Sequence, residues 1–337
     1  MKAPQLPVDG RFAKWTAQQA PANGYTFGTA AKTSSLSMKN RNNMNMRWVF
    51  ALLCFAMAHV STAQPTPSTV GKMAFYFDNG GKMKSPIKVF YYSPKADAAN
   101  LPIVMLMHGA ERDASAYMDG VISTANTLGC IVIAPEFDKE DYNGADLYNL
   151  GNVYDRNRKS FTAAKQWSFS LIEPLFDFVV KKTESKSTGY YLYGHSAGAQ
   201  FVHRFLMFVD GPRVIRAGMA NAGWYTLPDV QMAFPYGLKG SPVDTSKLAR
   251  FFATRVCVLL GTADTDRSSV GFNVTDEAEA QGKTRFERGK YYFENCKATA
   301  AHLQSVFNWE LILVPDVGHN NGKMAETGLP CLLGVQK

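Results

Sequence analysis

Ser196 stands between Gly194 and Gly198 in the pentapeptide Gly-His-Ser-Ala-Gly, directly after the apolar run YYLYG (190–194) and directly before the amphipathic stretch AGAQFVHRFLMFV. A serine at a sharp strand-to-helix turn has its hydroxyl forced into the open, and small flanking residues remove the Cβ atoms that would collide there. Serine alone is a weak nucleophile and needs a base, with an acid to orient that base. Asp264 lies three residues beyond Gly261, just past the run RVCVLLG, and His319 lies in the loop PDVGHNNG after the run WELILV. Serine, acid and histidine thus follow in the chain order used by one large class of acyl-transfer sites. Asp266, two residues past Asp264, is the rival for the acid.

The other five histidines are less suited to the base. His59 falls in the N-terminal segment, His108 and His195 flank glycines upstream of the acid, and His203 and His302 sit in helical patterns. Acyl transfer also places negative charge on a former carbonyl oxygen, which needs preorganised donors. The run IVMLMH ends in His108-Gly109, and in acyl-transfer sites with this chain order the residue after such a turn, here Ala110, offers one backbone N–H. Ala197, which follows the serine at the positive end of a new helix, offers the second. Trp224 and Tyr225 follow another strand-like run and read equally as pocket lining or as packing.

These residues need a scaffold, and the sequence displays one. Apolar runs recur at 73–77, 87–92, 103–108, 130–136, 190–194, 215–223, 255–261 and 309–314, bounded by Gly, Pro, Asn or Asp. From the third onward they are continuous rather than alternating, as in a parallel sheet covered on both faces. The first two suit an antiparallel hairpin at its edge. Helical patterns fill 163–182, 198–209 and about 285–306, with Pro174 expected to bend or restart the first. Strands alternating with helices indicate an α/β architecture in one domain, residues 64–337.

Composition excludes other classes. The chain has 337 residues, 46% hydrophobic and 19% charged, with a formal charge of +8. Residues 1–63 hold seven Lys/Arg against Asp9, so +6 of that charge lies there, and the body carries no basic stripe suited to nucleic acid. Residues 38–63 read as a signal peptide: a basic start, the apolar run WVFALLCFAMAHV, and Ser61-Thr62-Ala63 before Gln64. Residues 1–37 read as a disordered leader or an upstream start, and export to the periplasm or beyond is expected, with no stable membrane anchor after cleavage. In an oxidising compartment Cys296 and Cys331 are candidates to pair, while Cys130 and Cys257 sit in strand-like runs and read as unpaired core residues. No Cys/His spacing suggests zinc. The acidic stretch EFDKEDYNGADLYN (136–149) lacks a calcium-loop pattern and reads as a solvated loop at the cleft rim.

With the order of its motifs, the chain resembles the α/β-hydrolase superfamily, and within it the secreted esterase and poly(3-hydroxybutyrate) depolymerase-like branch. The likeness rests on HGAERDASAY, YGHSAGAQFVHRF, NAGWYTLP, GTADTD and PDVGHN, and spans most of residues 70–325. It implies an α/β-hydrolase fold with a mostly parallel central sheet of about eight strands and helices on both faces. It also implies a catalytic triad of Ser196, Asp264 and His319, an acyl-enzyme released by water, and no cofactor or metal. The chain departs from polymer-attacking relatives in showing no added adsorption module, so the expected substrate is a small-molecule or oligomeric ester. Only about 31 residues separate Gly223 from Arg255, too few for a large lid domain, though AFPYGLKGSP suits a small flap. A serine peptidase, an acyltransferase to an alcohol and a non-catalytic binding protein remain the rivals on this fold.

Overall fold

Each of the eight apolar runs becomes a strand of one sheet. The computed structural model describes residues 64–79, 85–157, 159–269 and 271–335; the leader (1–37) and the signal segment (38–63) fall outside the described residues. The strands are β1 (Gly71–Phe77), β2 (Ile87–Ser93), β3 (Ile103–Met107), β4 (Ile131–Glu136), the short ribbon β5 (Tyr154–Asp155) and β6 (Ser160–Phe161), then β7 (Tyr190–His195), β8 (Val214–Ala220), β9 (Val256–Gly261) and β10 (Trp309–Val314). The main sheet runs in the order β1-β2-β4-β3-β7-β8-β9-β10. β1 and β2 form the expected antiparallel hairpin, and β2 also runs antiparallel to β4. The pairs from β4 through β3, β7, β8 and β9 to β10 are parallel.

Between strands lie α1 (Ala114–Asp119), α2 (Ile122–Leu128), α3 (Gly144–Leu147), α4 (Ile172–Thr183), α5 (Ala197–Phe208), α6 (Thr245–Ala253), α7 (Asp276–Gln281), α8 (Arg285–His302) and α9 (Asn321–Leu333). Side chains alternate across each strand, so neighbours in sequence serve opposite layers. Leu106, Val132, Tyr193 and Leu259 pack under Met118, Ala125, Leu329 and Leu332 of α1, α2 and α9. Met105, Ile133, Leu192 and Val258 face Phe176, Phe201, Phe251 and Tyr292 of α4, α5, α6 and α8. Both faces are covered, which is why the central runs are apolar throughout.

The proline in 163–182 marks a restart. Two 3₁₀ turns, Ala164–Gln166 and Ser168–Leu171, precede α4, and Pro174 is its third residue. A proline is tolerated there because an N–H in the first turn has no helical partner to lose. The acidic stretch differs from expectation in part. Residues 139–140 and 143–145 are exposed, but Phe137, Tyr148 and Asn149 are buried, so the stretch is anchored in the core at both ends and is not merely a rim loop.

The cysteine expectation is corrected. Cys257 on β9 is disulfide-bonded to Cys331 on α9, with Cα atoms 6.7 Å apart, while Cys130 and Cys296 are free and buried. Cys296 lies in the α8 layer and Cys331 in the α9 layer, so the sheet separates the pair first expected. Among the described residues no helix is long and apolar enough to cross a membrane.

Candidate functional site

The turn between β7 and α5 is held in a backbone conformation that few residues adopt. Ser196 has φ 59° and ψ −120°. A non-glycine residue kept in such a region costs on the order of 1–3 kcal/mol and persists only where its surroundings enforce it. The enforcement is visible. A Cβ on Gly194 would lie 2.3 Å from the Gly198 carbonyl group, and one on Gly198 would lie 2.0 Å from the Met107 carbonyl oxygen. The two glycines let α5 leave the sheet edge directly against β3. Ser196 N–H donates to Ala220 O at 2.9 Å, tying the turn to the end of β8. The serine is half-buried, and Ala197 begins α5, where a helix leaves its first N–H groups without helical partners.

The acid and the histidine meet across two loops that are laced together. Thr262 N–H donates to Val314 O, Ala263 N–H to Val317 O, and Asp316 N–H to the Thr262 hydroxyl, at 2.9–3.0 Å. Gly261 permits this closeness, because a Cβ there would lie 2.3 Å from Val317 O. Asn221, at the end of β8, accepts from Gly261 N–H at 2.8 Å and donates to Gly318 O at 3.3 Å. The result is a hydrogen bond of 2.7 Å from His319 Nδ1–H to Asp264 Oδ2. That bond fixes the tautomer and leaves Nε2 with its lone pair. The His319 ring lies against that of His195, the residue before Ser196, with centroids 4.4 Å apart and planes tilted by 41°, so the imidazole stands beside the turn.

Asp264 and not Asp266 is the carboxylate brought to His319. Asp264 is 1% exposed. Asp266 is exposed and accepts from the Ser268 N–H and hydroxyl, which hold its carboxyl below the usual range. The second Asp264 oxygen faces Arg285 Nη1 at 3.4 Å. Arg285 also donates to Asp266 O and to the Ser269 hydroxyl, fixing the acid loop from beneath.

The loop after β3 carries the other expected donor. Ala110 is exposed, and the residues around it are clamped. His108 is buried, donates from Nδ1 to Gly109 O at 2.9 Å and accepts Phe137 N–H on Nε2 at 3.0 Å. The Tyr148 hydroxyl donates to His108 O at 2.6 Å, and the Arg112 guanidinium lies over the Tyr148 ring while donating to the carbonyls of Phe137, Tyr142 and Gly144.

Of the two aromatics left open between pocket and packing, Tyr225 is a core residue. It has no exposed surface and stacks on Tyr292 at 4.1 Å. Trp224 is 9% exposed, with the Arg204 guanidinium on one side at 4.3 Å and Tyr236 beyond. Burial pushes the Arg204 guanidinium down to about 9, and its contacts to Thr226, Asn149 O and Gln200 O bind the covering loops to α5. A cavity of about 620 Å³ lies elsewhere, lined by Trp167, Tyr142, Leu147 and Asn152 among others, and by none of Ser196, Asp264 and His319.

Sequence reasoning missed Arg285, Asn221, Tyr117 and the contact between His195 and His319. Asn221 lies in a stretch already singled out, NAGWYTLP, and the available signal was its residue type, since asparagine at a strand end tolerates the left-handed backbone that it adopts here with φ 48°. The others carry no local signal, since folding alone brings them to the site.

This geometry has counterparts among known proteins. The Esterase family model matches residues 80–202. Poly(aspartic acid) hydrolase-1 from Sphingomonas sp. KT-1 is similar at 38% identity, with a TM-score of 0.75 over 79% of this chain and 99% of that one. LpqC, a poly(3-hydroxybutyrate) depolymerase from Bordetella parapertussis, is similar at 27% identity, with a TM-score of 0.73 over 80% and 96% of the two chains. No curated protein sequence matches.

Proposed function

This chain belongs to the esterase and depolymerase-like α/β-hydrolases, and from that premise we propose that it is an exported serine hydrolase that cleaves carboxylic esters through an acyl-enzyme. The observation that carries the reading is the strained Ser196 turn beside a His319 held by a buried carboxylate. Ser196 Oγ attacks the ester carbonyl as His319 Nε2 takes its proton, and Asp264 steadies the imidazolium that results. The N–H groups of Ala110 and Ala197 receive the oxyanion. His319 then gives its proton to the departing alkoxide and, in the second half, activates the water that releases the acid. No metal or cofactor enters these steps.

The substrate in this reading is a small or oligomeric ester, with Trp224 at the edge of its acyl or alcohol pocket. A second reading follows from the similarity at 38% identity to a hydrolase of poly(aspartic acid): the scissile bond is then the amide of an acidic polymer, cleaved by the same groups. Initial rates on p-nitrophenyl esters of two to twelve carbons, beside rates on poly(aspartic acid), separate the two. Ester turnover that Ser196→Ala abolishes supports the first; turnover of the polymer alone supports the second. Ester turnover that survives in Ser196→Ala overturns both.

A further inference from the structure

Three segments have to be held in register for this site to work: the loop after β3 with Ala110, the β7–α5 turn with Ser196 and Ala197, and the loop carrying His319. β3 and β7 pair up to Met107 and Gly194, where β3 ends, and β7 goes on one residue further, to His195 opposite Ala220 of β8. One residue outside all three touches each of them. Tyr117, on α1, places its phenol oxygen where a side chain on Gly109 would be: a Cβ there would lie 2.2 Å from it. The phenol therefore closes directly over the Gly109 backbone, and only glycine leaves room for it. The same oxygen lies 3.1 Å from Nδ1 of His195, the residue before Ser196. On its backbone side, Tyr117 O accepts from the Asn321 amide at 3.1 Å, two residues past His319.

We propose that Tyr117 is a positioning residue that sets the two oxyanion donors against each other, its hydroxyl packed on Gly109 of one segment and hydrogen-bonded to His195 of the other. The proposal rests on the ester-hydrolase reading of the site and deepens it. The phenol oxygen and His195 Nδ1 share a hydrogen bond of 3.1 Å across the gap between the two segments. Burial, together with the nearby Glu111, pushes the phenol up, so it remains a donor at neutral pH. Burial and the neighbouring His319 and Arg285 push His195 well down, so the ring stays neutral. Among the described residues His195 Nε2 is buried without a partner, so Tyr117 holds the one side-chain hydrogen bond that orients the ring.

Tyr117→Phe tests this cleanly, since it keeps the ring, the helix and the carbonyl bond to Asn321 and removes only the bridging hydroxyl. Loss of a whole oxyanion donor slows acyl transfer by about 10²- to 10³-fold. Misplacing two donors without removing either is expected to cost about tenfold in kcat with KM within about twofold. The rate at which a fluorophosphonate modifies Ser196 should fall by a similar factor, and this readout needs no knowledge of the natural substrate. A change confined to thermal stability or to KM overturns the proposal, as does Tyr117→Phe reacting at the wild-type rate while Ser196→Ala stays unmodified. Modification of Ser196→Ala as fast as wild type removes the underlying reading and the proposal with it, which keeps the two failures apart.

Discussion

Acid should weaken this fold well above the pH at which its carboxylates protonate, and His108 makes the effect measurable. The His108 ring spends its one proton on Gly109 O and its one lone pair on Phe137 N–H, both in the buried interior. A second proton on Nε2 would confront that N–H with another donor and bury a charge. Burial is the main cause that pushes His108 from 6.5 down to about 3, followed in the same sense by the nearby Arg112. The unfolded chain therefore takes up the proton first as pH falls. The contribution is complete above about pH 6.5 and is lost progressively toward pH 3, where the folded state also protonates. With those two values, His108 alone costs about 2 kcal/mol of stability at pH 5 relative to neutral pH. His203 is wired in the same way, between Ala199 O and Thr226 N–H, and burial pushes it well down too, so its effect has the same sign. Urea unfolding at pH 7 and pH 5, for wild type and His108→Gln, measures the difference; glutamine can still donate to Gly109 O and accept from Phe137 N–H. The expected result is a wild-type loss between the two pH values that shrinks by about 2 kcal/mol in the variant. An equal loss in both proteins would show that His108 is not held neutral and would refute the argument.

Asp264→Asn is expected to lower kcat by about 10⁴-fold, because an amide cannot steady the imidazolium or hold the Nδ1–H tautomer. Asp266→Asn should remain within a few-fold of wild type on the same ester, since that carboxylate only caps the turn at Ser268. Replacing Cys257 and Cys331 together by alanine opens a cross-link between residues 74 apart and is expected to destabilise by about 4 kcal/mol, read from urea midpoints. Peptide mapping without reduction should find the Cys257–Cys331 pair; a Cys296–Cys331 peptide would contradict the layer arrangement.

The strands were legible because a sheet buried on both faces leaves uninterrupted apolar runs, and the ends of β7, β9 and β10 fell at or near the expected residues. The Ser196 turn was legible because close approach demands glycine at both flanks, a constraint written in residue type. What escaped notice has a common cause. α9 contains Gly322, Gly328 and Pro330, poor helix formers, so no periodic apolar stripe announces it. Gly328 is there for contact: a Cβ on it would lie 2.6 Å from the Tyr193 ring. With α9 unseen, Cys331 had no layer, and its pairing with a core cysteine of β9 had no visible basis. Arg285 and Tyr117 are likewise unremarkable as helix residues and gain meaning only from what folding sets opposite them. Of the aromatic pair after β8, Tyr225 turned inward to Tyr292 and Trp224 toward Arg204, a choice made by partners distant in sequence.

The central claim is that Ser196 carries the acyl group. Mixing wild-type protein with excess p-nitrophenyl acetate, quenching within the burst and digesting for mass spectrometry tests it directly. The account predicts an acetyl group on the peptide containing Ser196, stoichiometric with the p-nitrophenol burst and absent from Ser196→Ala. A burst with the acetyl group on another residue, or one that persists in Ser196→Ala, would contradict it.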